Sequence, residues 1–154
     1  MHLSDADIDR VLTAIGATPS PVRREGARVA LTYFARYAPH LSVATQHSYL
    51  RAMDLSRPVD TVDLHAGDRV AAFRHHTADW GEFYTPLGSD PTKLGVLLEG
   101  RQYREYEVAR RIPALRSRTS AFMHEARGSG GAVQLIIPQA SLHLRVSQRG
   151  LRVL

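Results

Sequence analysis

Gln134 is the residue whose type fits its surroundings least. It lies in Ala132-Val133-Gln134-Leu135-Ile136-Ile137, a run otherwise apolar enough to be a buried strand. A buried carboxamide costs about 1–3 kcal/mol unless its polar atoms find partners. It therefore either bonds a neighbouring loop or faces something that binds. Other reactive types are less informative. Gly128-Ser129-Gly130-Gly131 is followed by a strand, not a helix N-terminus, so it lacks the geometry of a dinucleotide fingerprint or a P-loop. His75-His76 would point to opposite faces of a strand, and no HExxH or histidine cluster completes a metal set. There is no GxSxG elbow and no cysteine, which excludes an α/β-hydrolase, thiolate metal sites and cysteine nucleophiles.

Charge is divided unevenly along the 154 residues. Positions 1–100 hold 10 basic and 12 acidic side chains, whereas 101–154 hold 10 basic and 3 acidic, a surplus of +7. That half attracts anions: phosphates, nucleic acid or an acidic protein surface. No apolar run approaches the roughly 18 residues of a membrane span. The start Met1-His2-Leu3-Ser4-Asp5 has neither the basic nor the apolar region of a signal peptide.

The elements that must position these residues change character near Pro58. Before it the pattern is helical. Ser4 caps a helix with Asp5 and Asp7 in its first turn and Ile8, Val11, Leu12 and Ile15 on one face, ending at Gly16. Ser20-Pro21 opens a second helix, with Val22, Val29, Ala30, Tyr33, Phe34 and Tyr37 as its apolar stripe and Pro39 at its end. A third runs from about Ser42 to Met53. After Pro58, strands are expected at 59–64, 69–74, 101–108, 133–137 and 142–146, with a turn at Gly67-Asp68 and turn formers across 80–91. Leu94–Leu98 is open between strand and short helix, and Ser117–Glu125 reads as helical or irregular. The sum is α+β: a helical segment over 1–53, then a mainly antiparallel core over 54–154.

Six segments in order carry a resemblance. They are Tyr49-Leu50-Arg51-Ala52-Met53-Asp54-Leu55-Ser56-Arg57-Pro58-Val59, Gly67-Asp68-Arg69-Val70, and Trp80-Gly81-Glu82-Phe83-Tyr84-Thr85-Pro86. Pro91-Thr92-Lys93-Leu94-Gly95-Val96, Leu115-Arg116-Ser117 and Gly130-Gly131-Ala132-Val133-Gln134 follow. Over about residues 47–140 the chain resembles the polymorphic toxin type 46 domain of bacterial competition systems. It departs at Ala132, where a third glycine is common, and at Met53, where isoleucine is common.

The resemblance implies an ADP-ribosyltransferase-like β core that consumes NAD+, as NAD+ glycohydrolases similar to the tuberculosis necrotizing toxin do. Breaking the nicotinamide–ribose bond passes through an oxocarbenium-like state, and the leaving group is already cationic, so no general acid is needed. By this likeness Arg74, or Arg69 on the same strand, holds the phosphates or ribose of NAD+, where a guanidinium fork suits phosphate oxygens. Gln134 bonds the 2′-hydroxyl of the nicotinamide ribose. Phe83 or Tyr84 stacks beside nicotinamide, while Trp80, Thr85, Ser117 and Thr119 line the cleft. Related transferases carry a glutamate on or before this late strand, but no Asp or Glu follows Glu125 here, which favours water as the acceptor and hydrolysis over transfer.

The resemblance further implies a secreted effector acting in the target-cell cytoplasm, and an immunity protein, which the +7 half predicts to be acidic. No metal, membrane or nucleic-acid partner is expected. Transfer of ADP-ribose to protein or RNA, a ribonuclease using the basic half and the eight histidines, and a non-catalytic interaction module are the alternatives.

Overall fold

Three serines start the three helices. In the computed structural model, which describes residues 2–75, 81–94, 99–120, 130–138 and 150–154, Ser4, Ser20 and Ser42 each accept a hydrogen bond from a backbone N–H three residues on. They open α1 (Asp5–Ala14), α2 (Pro21–Tyr37) and α3 (Val43–Arg51). Asp7 bonds back to the Ser4 amide, closing a capping box. Gly16 leaves α1 at φ +79, a conformation that side chains resist. The buried face of α2 is Gly26, Ala27, Ala30, Leu31, Tyr33 and Phe34. Val22, expected in that stripe, is exposed in the first turn of α2.

Seven strands follow among the described residues: β1 (Asp60–Leu64), β2 (Arg69–His75), β3 (Phe83–Pro86), β4 (Arg101–Val108), β5 (Ile112–Arg118), β6 (Val133–Ile136) and β7 (Leu151–Val153). All pair antiparallel, in the order β1-β5-β6-β3-β2-β4-β7. The α+β class with helices first therefore holds. β3 and β5 replace expectations of turn and helix: Phe83–Pro86 is strand, and Ser117 and Arg118 complete β5, with Thr119 bridged to Met53. Leu94 closes a single 3₁₀ turn at Pro91–Lys93. The readings for 95–98, 121–125 and 142–146 fall outside the described residues.

One face of the sheet meets the helices. Ile8, Leu12, Tyr33, Phe34, Tyr49 and Leu50 pack there with Leu115 and Ile136. The Tyr33 hydroxyl donates to the Pro113 carbonyl at 2.9 Å, fixing α2 to β5. The other face gathers one cluster from all seven strands, including Leu64 of β1, Tyr84 of β3 and Leu151 of β7. Three strands stand between β1 and β2 in this order, yet a tight turn at His65–Asp68 joins them directly, so the sheet curls to bring β1 back toward β2.

Candidate functional site

The two halves of β3 pair with different neighbours. β3 pairs with β2 through Val70↔Pro86 and Ala71↔Thr85. Its other half pairs with β6 through Phe83↔Ile136 and Tyr84↔Leu135. β2 meanwhile runs on beside β4 as far as His75. Two half-sheets thus share β3 and part beyond Ala71, and Arg74 sits where they part.

Arg74 is held from three sides. One terminal nitrogen donates to the Phe83 carbonyl at 2.9 Å, bridging the gap between the strands. Its guanidinium carbon lies 4.8 Å from the centre of the Tyr84 ring, a cation–π contact. Gly81 closes the third side: a Cβ there would come within 2.7 Å of that carbon and 3.0 Å of both terminal nitrogens. Arg74 is 7% exposed, and none of the ion pairs among the described residues includes it. Its Nε is buried without a hydrogen-bond partner among them. A buried cation in this state is poised to receive an anion.

Tyr84 cannot also offer an open face to nicotinamide in this arrangement. Its ring lies under Arg74 and meets Tyr106 edge-on at 5.2 Å, and its hydroxyl donates to the Gly81 carbonyl at 2.9 Å. Burial pushes its phenol pKa up, while the charge and hydrogen bonding of Arg74 pull against that shift. Phe83 faces the helical layer and packs at 5.7 Å against Tyr49.

Gln134 and Arg74 do not converge. Leu135 and Tyr84 share a face with Arg74, so Gln134, one residue before Leu135, points to the helical side. Its Nε2 donates to the Ala52 carbonyl at 2.9 Å and to the Ser117 hydroxyl at 3.1 Å, using both amide hydrogens. The expectation of one cleft framed by both side chains is corrected: strand alternation separates them, with β3 between. Ser117 is correspondingly buried as the acceptor beside Gln134. The Thr85 hydroxyl donates to the Val133 carbonyl at 2.8 Å, where β3 has turned away from β6, and Thr119 donates to the Lys93 carbonyl. Trp80 lies outside the described residues.

Two contributors escaped sequence reasoning. Gly81 matters through close approach, and its only signal was a glycine before Glu82-Phe83-Tyr84. Glu82 reaches Tyr49, whose phenol is pushed up by burial and then by the adjacent carboxylate. No sequence period brings residues of α3 and β3 together. Among the described residues no group of three or more His, Asp or Glu could hold a metal ion, and no helix is long and apolar enough to cross a membrane.

No protein-family model matches the chain, and no curated protein matches it. Among solved structures, Tse6 in its complex with Tsi6 is similar, with a TM-score of 0.71 and 22% identity over 88% of this chain and 98% of that one. Rhs1-CT, in complex with its cognate immunity protein RhsI1, gives 0.49 and 19% over 68% of this chain and 81% of that one. The extent of the first match establishes that this chain shares its fold with Tse6.

Proposed function

We propose that this chain is an interbacterial toxin domain that cleaves the nicotinamide–ribose bond of NAD+, with water as acceptor. The observation that carries this reading is Arg74: a buried guanidinium, fixed at the parting of two half-sheets, with no carboxylate partner and an unpaired Nε among the described residues. A diphosphate supplies the anionic oxygens that such a group lacks. The resemblance of the six motifs to a toxin family that consumes NAD+ selects the dinucleotide among possible anions, and the shared fold with Tse6 is compatible with it.

In this reading Arg74 anchors the phosphates and so fixes the ribose near the parting strands. The glycosidic electron pair leaves with nicotinamide, whose ring nitrogen becomes neutral. Water then adds to the ribose carbon and loses its proton to solvent, yielding ADP-ribose. Gln134 contributes through the fold alone, tying β6 to the end of α3 and to β5. Tse6 was solved in complex with Tsi6. By analogy, an immunity protein binds this chain, and the basic surplus of residues 101–154 makes it acidic. Delivery as a secreted effector into the target-cell cytoplasm belongs to the same proposal.

The test is incubation of the purified chain with NAD+ alone, following nicotinamide release. Release is expected from the wild type and not from Arg74→Ala. NAD+ that is consumed only once a protein or RNA acceptor is added would make the chain a transferase. Cleavage of RNA with no NAD+ present would make it a ribonuclease.

A further inference from the structure

We propose that the open end of the curled sheet, away from Arg74, is a separate binding site for a nucleoside phosphate. A cleft of about 630 Å³ opens there between β1 and β2, inside the roughly 300–1,000 Å³ of small-molecule pockets. Val62 and Leu64 of β1, Val70 of β2 and Leu135 of β6 form an apolar floor able to take a flat ring. Along β2, Arg74 lies four residues beyond Val70, about 13 Å away at strand rise, and buried Ala72 and Tyr84 fill the space between.

The rim decides the charge of the occupant. Two of the three lining carboxylates are neutralised by arginines, and the third, Asp68, is engaged by a backbone amide. Asp60 takes both arms of Arg116, at 3.1 and 2.7 Å. Asp63 pairs with Arg111 at 3.0 Å, and Asp68 accepts the His65 amide at 2.8 Å. Two of the three lining guanidiniums lack a carboxylate partner among the described residues. Arg118 gives one N–H to the Gly131 carbonyl at 3.2 Å, and Arg69 takes part in no ion pair among the described residues. An apolar floor flanked by two guanidiniums in no ion pair among the described residues, against the single un-neutralised carboxylate of Asp68, leaves a net positive rim that fits a flat apolar body bearing phosphate. This inference is independent of NAD+ cleavage.

The probe is ADP, titrated calorimetrically into the full-length Arg74→Ala chain so that the site at the parting strands is silenced. Saturable one-to-one binding is expected, weakened at least tenfold when Arg69→Ala and Arg118→Ala are added, and weakened by added salt. Both residues are exposed, so the melting curve should not move. Val133→Phe, added to the Arg74→Ala chain, fills the cleft from β6, where Val133 lines it beside Leu135. It is expected to weaken ADP and leave inorganic phosphate unchanged. The proposal is overturned if ADP does not bind the Arg74→Ala chain, if the double substitution leaves its affinity intact, if inorganic phosphate binds as tightly as ADP, or if Val133→Phe has no effect on ADP. A chain inert toward NAD+ that still binds ADP in this way would support the cleft and refute only the proposed function.

Discussion

Arg74 and Gln134 are both buried polar side chains in strands, and the protein treats them in opposite ways. Gln134 is enclosed by partners from two other elements, the Ala52 carbonyl at the end of α3 and the Ser117 hydroxyl on β5. Arg74 is enclosed by a ring, a carbonyl and a glycine, and is left with a buried Nε and no counter-charge among the described residues. A buried polar group whose hydrogens the fold consumes belongs to the architecture. One that the fold immobilises without neutralising, as the described residues leave Arg74, is the basis of the proposed anion site. Burial and polarity alone do not separate the two cases; the inventory of partners does.

The contrast breaks most sharply at Arg74. Replacing it by Met removes a buried charge that has no counter-ion among the described residues, so stability should hold within about 1 kcal/mol or rise. NAD+ turnover should fall by about 100-fold or more, as when a preorganised electrostatic group is lost from an active site. Thermal melts and nicotinamide release, measured on one preparation, check both halves. A large drop in melting temperature would place Arg74 with Gln134 as architecture.

Gln134→Met should do the reverse. It strands the Ser117 hydroxyl and loosens the tie to α3, costing about 1–3 kcal/mol, or roughly 3–10 °C in Tm for a chain of this size. Turnover per folded molecule should stay near that of the wild type. Activity lost well below the unfolding range, with an unchanged melt, would return Gln134 to direct contact with substrate.

Gly81→Ala sharpens the comparison by moving the guanidinium while keeping it. The added methyl must displace a side chain already wedged against Tyr84, and about a tenfold loss of turnover is expected, or roughly 1.4 kcal/mol of transition-state stabilisation. In the Arg74→Met background the same substitution should be nearly silent. A double-mutant cycle shows whether the two losses are coupled.

The smallest effect is expected at Arg116, which forms a bidentate pair with Asp60 but is half-exposed, as its partner is. Arg116→Ala should cost under 1 kcal/mol by chemical denaturation. A larger loss would mean that an outer strand depends on an exposed ion pair more than such pairs usually allow.

The helices could be read from the chain because their signals are local. Ser4, Ser20-Pro21 and Gly16 mark ends by chemistry that acts within a turn. β5 escaped because Ile112, Pro113, Ala114 and Leu115 are buried on both faces, so no alternation marks them, and Pro113 argues against a strand. β3 escaped because four residues inside a run of turn formers are too few to show a period. That omission carried over to the site. Which face Gln134 presents relative to Arg74 depends on two registers, β2 with β3 and β3 with β6, and neither can be deduced once β3 is missing. The arginine itself was legible as a strand-end cation; its surroundings were not, since Gly81 and Tyr84 reach it only through the parting of the half-sheets.

The contact between Gly81 and Arg74 binds two positions of the chain to a common fate. So long as 74 carries this arginine in its present pose, any side chain at 81 must push the guanidinium aside. A relative that shortens the first is released from the constraint on the second, so paired changes at these positions among homologues would record the gain or loss of the proposed anion site.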